Sequence, residues 1–241
     1  MRTKTILAAI AALSAGVFYA NAQVYSANVV GYATSTYVAG YNMFETPFNM
    51  GVSNGANEIY GANLQDGMTF VTWNGSGFNQ VLYSPSLQGA FGQPTPWLDP
   101  NSFTSLPVPT LPPGEGYFLY SPAAGTNVPS GVVAVNVGAT NTMNLVAGYS
   151  MVGSVIPGEG SVTNSIFNVP TQDGETFVTW NGSSYDQVLY SPSLQGAFGD
   201  PTPWLDPNTF ASVPEPSLTV GEGFFFYQPN PTNWVETLPS N

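Results

Sequence analysis

Apolar and polar positions alternate in short runs along this chain, and no helical period survives beyond a turn or two after residue 23. Thr69-Phe70-Val71-Thr72-Trp73 is β-branched and aromatic, the composition that suits a pleated, half-buried surface. Asn74-Gly75 interrupts it, and Phe78 to Tyr83 resumes an extended apolar pattern. The stretch predicts a hairpin whose Asn-Gly turn supplies the positive φ angles. Thr176 to Trp180, Asn181-Gly182 and Tyr185 to Tyr190 repeat the signal. Tyr117 to Tyr120 and Phe224 to Tyr227 are unbroken apolar runs, predicting strands buried on both faces. Val132 to Val137 alternates well enough for one more strand. Proline lacks a ladder donor, so the proline-dense stretches 94–113 and 201–216 are expected as loops or edges. The predicted fold is all-β, with antiparallel sandwich-like domains and a barrel-like closure as the alternative.

An internal duplication sets the domain plan. Asp66 to Pro122 aligns without gaps on Asp173 to Pro229 at an offset of 107, with 42 identities in 57 positions. Gln80 to Gly92 recurs unchanged as Gln187 to Gly199. Upstream, Val38-Ala39-Gly40-Tyr41 matches Val146-Ala147-Gly148-Tyr149 at an offset of 108. Each unit has the length of a single small domain, which predicts two tandem modules over 23–128 and 129–241.

Residues 1–22 are expected to be a signal peptide. Arg2 and Lys4 precede an apolar run from Ile6 to Val17, and Ala20-Asn21-Ala22 offers small residues around a cleavage site. The apolar run is shorter than the roughly 20 residues of a membrane span, so no transmembrane segment is expected in the mature chain. Cleavage would remove the only two basic residues and take the formal charge from −12 to −14. The expected location is extracellular or at the cell surface, with the periplasm left open.

Composition then excludes chemistry. The chain has no His and no Cys, and no Lys or Arg after residue 4. Imidazole-based triads, thiol nucleophiles, Schiff bases and zinc sites therefore have no residues to form them. An acidic chain without cations is repelled by phosphate backbones, so no nucleic-acid partner is expected.

The patterns Gly40-Tyr41-Asn42-Met43, Phe70-Val71-Thr72-Trp73-Asn74-Gly75 and Pro113-Gly114-Glu115-Gly116-Tyr117-Phe118 follow one another in the first unit. With the opening Tyr25-Ser26-Ala27-Asn28-Val29-Val30-Gly31-Tyr32, they resemble uncharacterised secreted bacterial tandem β-module proteins. The resemblance covers nearly the whole mature chain. It implies export and a β-rich fold and brings no activity with it.

The strongest candidate surface is the stiff loop Gln93 to Asn101 and its echo, Asp200 to Asn208. Trp97, Asp99 and Asn101, with Trp204, Asp206 and Asn208, could stack on and hydrogen-bond a sugar ring. The competing reading has both tryptophans anchoring the core. Asp99 with Glu115 is a conceivable hydrolytic pair, although nothing in their spacing fixes a separation. Calcium is the metal that carboxylate and amide oxygens favour, and Asp200 with Asp206 is the best local pair. Asn74-Gly75-Ser76 and Asn181-Gly182-Ser183 match a glycosylation sequon, but the turn accounts for them.

Charged residues are 7% of the chain, against about 25% in average proteins. The exterior must therefore be built from Asn, Ser, Thr, Gln, Gly and Pro. That surface, with β-edges that no Lys protects, leads to the expectation of a secreted, non-enzymatic structural or interaction protein prone to self-association. A tandem module binding extracellular polysaccharide comes second, and a carboxylate-dependent glycan-degrading enzyme third.

Overall fold

The computed structural model describes residues 29–239. The expected signal peptide and the first residues of the mature chain lie outside the described residues. Strands in the first repeat are β1 (Val30–Tyr32), β2 (Ser35–Tyr37), β3 (Gly40–Phe44), β4 (Phe48–Asn49), β5 (Met68–Trp73), β6 (Phe78–Tyr83), β7 (Trp97–Leu98), β8 (Tyr117–Ser121) and β9 (Gly125–Asn127). After β10 (Ser130–Val133), the second repeat has β11 (Thr140–Leu145), β12 (Gly148–Gly153), β13 (Gly160–Ser161), β14 (Glu175–Trp180), β15 (Tyr185–Tyr190), β16 (Trp204–Leu205), β17 (Ser217–Leu218), β18 (Gly223–Gln228) and β19 (Thr232–Thr237). The fold is all-β and antiparallel, as the periodicity predicts.

Each repeat builds the same five-stranded sheet, in the order β3-β8-β5-β6-β7 and β12-β18-β14-β15-β16. The apolar runs are central strands: β8 lies between β3 and β5, and β18 between β12 and β14. The proline-dense stretches contribute only short strands, including the two-residue edges β7 and β16. Strand β10 pairs with β1 and β4, so the chain is still part of the first repeat's sheet system after residue 129. It ends at Val133, and the alternation beyond it to Val137 is not strand.

The β5–β6 hairpin forms in a different way from a two-residue Asn-Gly turn. Trp73 pairs with Phe78, leaving a four-residue loop. Gly75 has positive φ, while Asn74 uses its Oδ1 to accept from the Ser76 and Gly77 N–H groups. Asn181 does the same in the second repeat. A side chain mimicking backbone explains why Asn stands there.

Among the described residues, three short α-helices escape the periodicity: α1 (Ala56–Tyr60), which runs on into a 3-10 turn over Gly61–Asn63, α2 (Pro85–Phe91) and α3 (Pro192–Phe198). Helices α2 and α3 carry complete punctuation. Ser84 and Ser191 accept from the third helical N–H, proline occupies the first turn, and Gly92 and Gly199 close the end in the left-handed region.

One face of each sheet covers its own core. Phe70, Trp97, Tyr117 and Leu119 pack with Ile59 and Tyr60 of α1 in the first repeat. Phe177, Trp204, Phe224 and Phe226 pack with Phe167 and Trp234 in the second. Equivalent positions hold the covering segment: Asn127 donates to the Ile59 carbonyl, and Trp234 to that of Phe167. The opposite faces of the sheets meet each other, burying Met43, Val71 and Phe118 against Met151, Val178 and Phe225. A two-layer sandwich therefore arises between the repeats.

Candidate functional site

The seam between the sheets is pseudo-two-fold, because each repeat offers the same patch to the other. Trp73 Nε1 donates to the Tyr149 carbonyl at 3.1 Å, and Trp180 Nε1 to the Tyr41 carbonyl at 2.8 Å. Bridges join Phe44 to Glu222 and Glu115 to Val152. The Gly-Glu-Gly motif makes these approaches feasible. Gly114 and Gly221 adopt positive φ, and their carbonyls accept from the N–H groups of Gly153 and Glu45. A Cβ on Gly116 would lie 3.0 Å from backbone atoms of Val152, and one on Gly223 would collide with the Phe44 carbonyl.

Where the seam opens, the two repeats form twin aromatic clefts. One, of about 290 Å³, is lined by Tyr41, Val71, Phe78, Phe118, Trp180 and Tyr185, with Gln80 as its amide. The other, of about 280 Å³, presents the matching set, led by Tyr149, Val178, Trp73 and Gln187. Phe78 and Tyr185 border both clefts and are 47% and 45% exposed. Trp73–Phe78 and Trp180–Tyr185 ring centroids lie 5.0 and 4.9 Å apart, and Trp73–Phe225 and Trp180–Phe118 lie 5.8 and 6.0 Å apart. No charged side chain lines either cleft. Exposed aromatic rings beside an amide can stack on and hydrogen-bond an uncharged ligand, and they offer nothing to compensate a buried charge.

The residues singled out in the sequence lie elsewhere. Trp97 and Trp204 are 5% exposed and pack on Phe70 with Tyr83, and on Phe177 with Tyr190. Both indoles are core anchors, so a sugar at these loops has no tryptophan face to stack on. Asp99 Oδ1 accepts from the Asn101 and Ser102 N–H groups, and Asp206 Oδ1 from those of Asn208 and Thr209. The N–H groups of Ser102 and Thr209 contribute most to holding these carboxyls below their ordinary range, followed by those of Asn101 and Asn208. Asn101 and Asn208 remain at the surface beside them.

Asp99 and Glu115 line different cavities. Burial raises Glu115, whose backbone bridges Val152 at the seam. Asp200 stands at the C-terminal end of α3, and the Asp206 oxygen is engaged in its own turn. Among the described residues, no three Asp or Glu side chains gather as a metal-binding group.

The unexpected carboxyls are buried ones. Glu45 is 3% exposed; Oε1 accepts from the Gly114 N–H, while Oε2 has no partner. Burial pushes its carboxyl well up against the lowering effect of Gly114, and nearby Glu236 adds to the rise. Its aliphatic stem crosses Gly153, the position that matches Glu45 itself in the second repeat. Glu236 accepts from Ser154 Oγ and the Val155 N–H, and burial pushes it up to about 7. Glu175 occupies the slot of Met68, and burial pushes it up to about 8. None of these three acids lines either cleft.

No family model, curated protein or solved structure matches the chain. Its function must therefore be read from its own geometry. Among the described residues, no helix is long and apolar enough to cross a membrane.

Proposed function

We propose that this is an exported, non-enzymatic interaction protein that holds a neutral glycan in the aromatic clefts between its repeats. The observation that carries the reading is the pair of matched, uncharged clefts bordered by half-exposed Phe78 and Tyr185. Aromatic faces accept the apolar faces of sugar rings, and Gln80 and Gln187 can bond hydroxyls. The two clefts are covalently fixed at one spacing, so a polymer spanning both gains from effective concentration. A chain lacking cations beyond Lys4 has no means to attract a polyanion, which favours a neutral polymer.

The test is affinity electrophoresis through gels containing neutral polysaccharides (cellulose derivatives, xylan, mannan, starch), with alginate as the anionic control. The wild type is retarded by a neutral polymer, and Phe78→Ala/Tyr185→Ala is not. Equal mobility of wild type and variant in every gel would contradict the reading.

A structural role through self-association is favoured by a separate observation. Strand β7 pairs only with Leu82 and Tyr83 of β6, and β16 only with Leu189 and Tyr190 of β15. The outer sides of residues 78–81 and 185–188 are thus free for strand addition. Light scattering at rising concentration tests this, and a strictly monomeric chain would rule it out.

A further inference from the structure

Beside the free edge of β6 lies a groove of about 700 Å³, walled on its far side by the loop from Asp99 to Thr110. It shares Phe78 and Gln80 with the first aromatic cleft, so groove and cleft are neighbouring spaces that meet at this edge. The strand side offers amides and a hydroxyl from Asn79, Gln80 and Thr72 beside apolar Phe78 and Val81, and the loop side offers Leu106 and Val108 next to prolines, with Asn101 and Thr110 as polar groups. Asp99, whose Oδ1 is taken by its own turn, also lines the groove. The second repeat differs in chemistry at the matching edge: Asp186 stands for Asn79 and Glu215 for Val108.

Resting on the glycan reading above, we infer that the bound ligand is an extended neutral glycan chain whose continuation lies in this groove, making the first repeat's edge the dominant subsite. The size fits, since the groove is in the range that encloses a ligand of several rings and the cleft alone sits at its lower limit. The chemistry fits as well. The amides of Asn79, Gln80 and Asn101 and the hydroxyls of Thr72 and Thr110 can donate to and accept from sugar hydroxyls, while Leu106 and Val108 match the C–H faces. The prolines pre-set the loop and reduce the entropy lost on binding. An added peptide strand fits less well. Only four residues of β6 are bare, and the prolines in the opposite wall have no N–H to donate to its other side.

The experiment is isothermal titration of the whole protein with neutral oligosaccharides of increasing length, taken from the polymer that retards it most. Wild-type affinity rises with length beyond the shortest oligomer that binds. Asn79→Ala/Asn101→Ala lowers affinity for the long oligomers about tenfold and leaves the shortest unchanged. The matching Asp186→Ala/Asn208→Ala stays within twofold of wild type throughout. Circular dichroism melts confirm that both variants are folded, as surface positions lead one to expect. If affinity stops rising at the shortest oligomer, or the two variants behave alike, the groove is not a subsite although the clefts bind sugar. If no oligomer binds the wild type, the glycan reading itself fails. If the groove variant instead abolishes self-association and leaves sugar affinity intact, the edge takes a strand from a second copy, which also overturns the inference.

Discussion

Replacing Glu175 with Gln should turn a pH-dependent weakness of the second repeat into a pH-independent one. The Glu175 side chain is fully buried; Oε2 accepts from the Gln172 N–H and, at 3.4 Å, from Gln228 Nε2, while Oε1 has no partner. Burial outweighs both hydrogen bonds and lifts the carboxyl from 4.5 to about 8. Between those values the folded chain binds a proton that the unfolded chain releases, so stability falls as pH rises through that window. At 1.36 kcal/mol per pH unit, the loss relative to pH 4 is roughly 3 kcal/mol at pH 7 and roughly 5 kcal/mol at pH 9. Urea denaturation of wild type and Glu175→Gln at pH 4, 7 and 9 measures it. The stability difference between the two should grow in favour of the variant by about those amounts. The first repeat supplies a second check, because it carries Met68 and Ser121 where the second has Glu175 and Gln228. Glu175→Met/Gln228→Ser should follow the pH dependence of Glu175→Gln. A stability difference that stays constant from pH 4 to 9 would refute the reasoning.

Three further outcomes follow from the same geometry. Stability as a whole should be greatest in mild acid. Raised Glu45, Glu175 and Glu236 lose stability as pH climbs above 4.5, whereas Asp66, held down first by its hydrogen bond from Ser84, loses it as pH drops below 3.8. Thermal melts at a series of pH values test this, and a maximum above pH 7 would contradict it. Gly153→Ala should destabilise the seam by about 1–3 kcal/mol, since the new methyl would meet the Glu45 side chain and, at 2.7 Å, the Glu222 carbonyl oxygen. Gly89→Ala, which meets no atom, is the control in chemical denaturation and should not lose stability. Trp97→Ala and Trp204→Ala should each cost about 3–5 kcal/mol as core deletions. Near-native stability of either variant by urea denaturation would show that its indole is not an anchor.

The strand content was legible because local chemistry encodes it. Val71 and Trp73 alternate with Met68 and Phe70 across β5, so both faces of that strand are apolar and call for two covering layers. One layer is the repeat's own core. That the other is the sister repeat could not be read, because pairing between repeats depends on how Gly116 and Gly223 let backbones approach across more than a hundred residues. The same gap hid the clefts: Phe78 and Tyr185 look like ordinary hairpin residues until the two sheets meet. Trp97 drew attention as an aromatic in a proline-rich loop, yet nothing local distinguishes an indole folded inward from one left outside. The Ser-Pro start and Gly end of α2 were visible in the unchanged repeat, but seven residues are too few for a helical period to emerge. Glu45 and Glu175 gave no local sign of burial, since each departs from its counterpart, Gly153 or Met68, at a single position.

The most direct test labels all five tryptophans with 5-fluorotryptophan and follows their fluorine resonances as the retarding oligosaccharide is added. Trp→Phe substitutions assign the signals. Trp73 and Trp180 line the clefts, while Trp97, Trp204 and Trp234 are buried in the two cores. The Trp73 and Trp180 resonances should shift with ligand and the other three should hold still. Shifts at Trp97 and Trp204 with Trp73 and Trp180 unmoved would return binding to the proline-rich loops and contradict a ligand site at the seam.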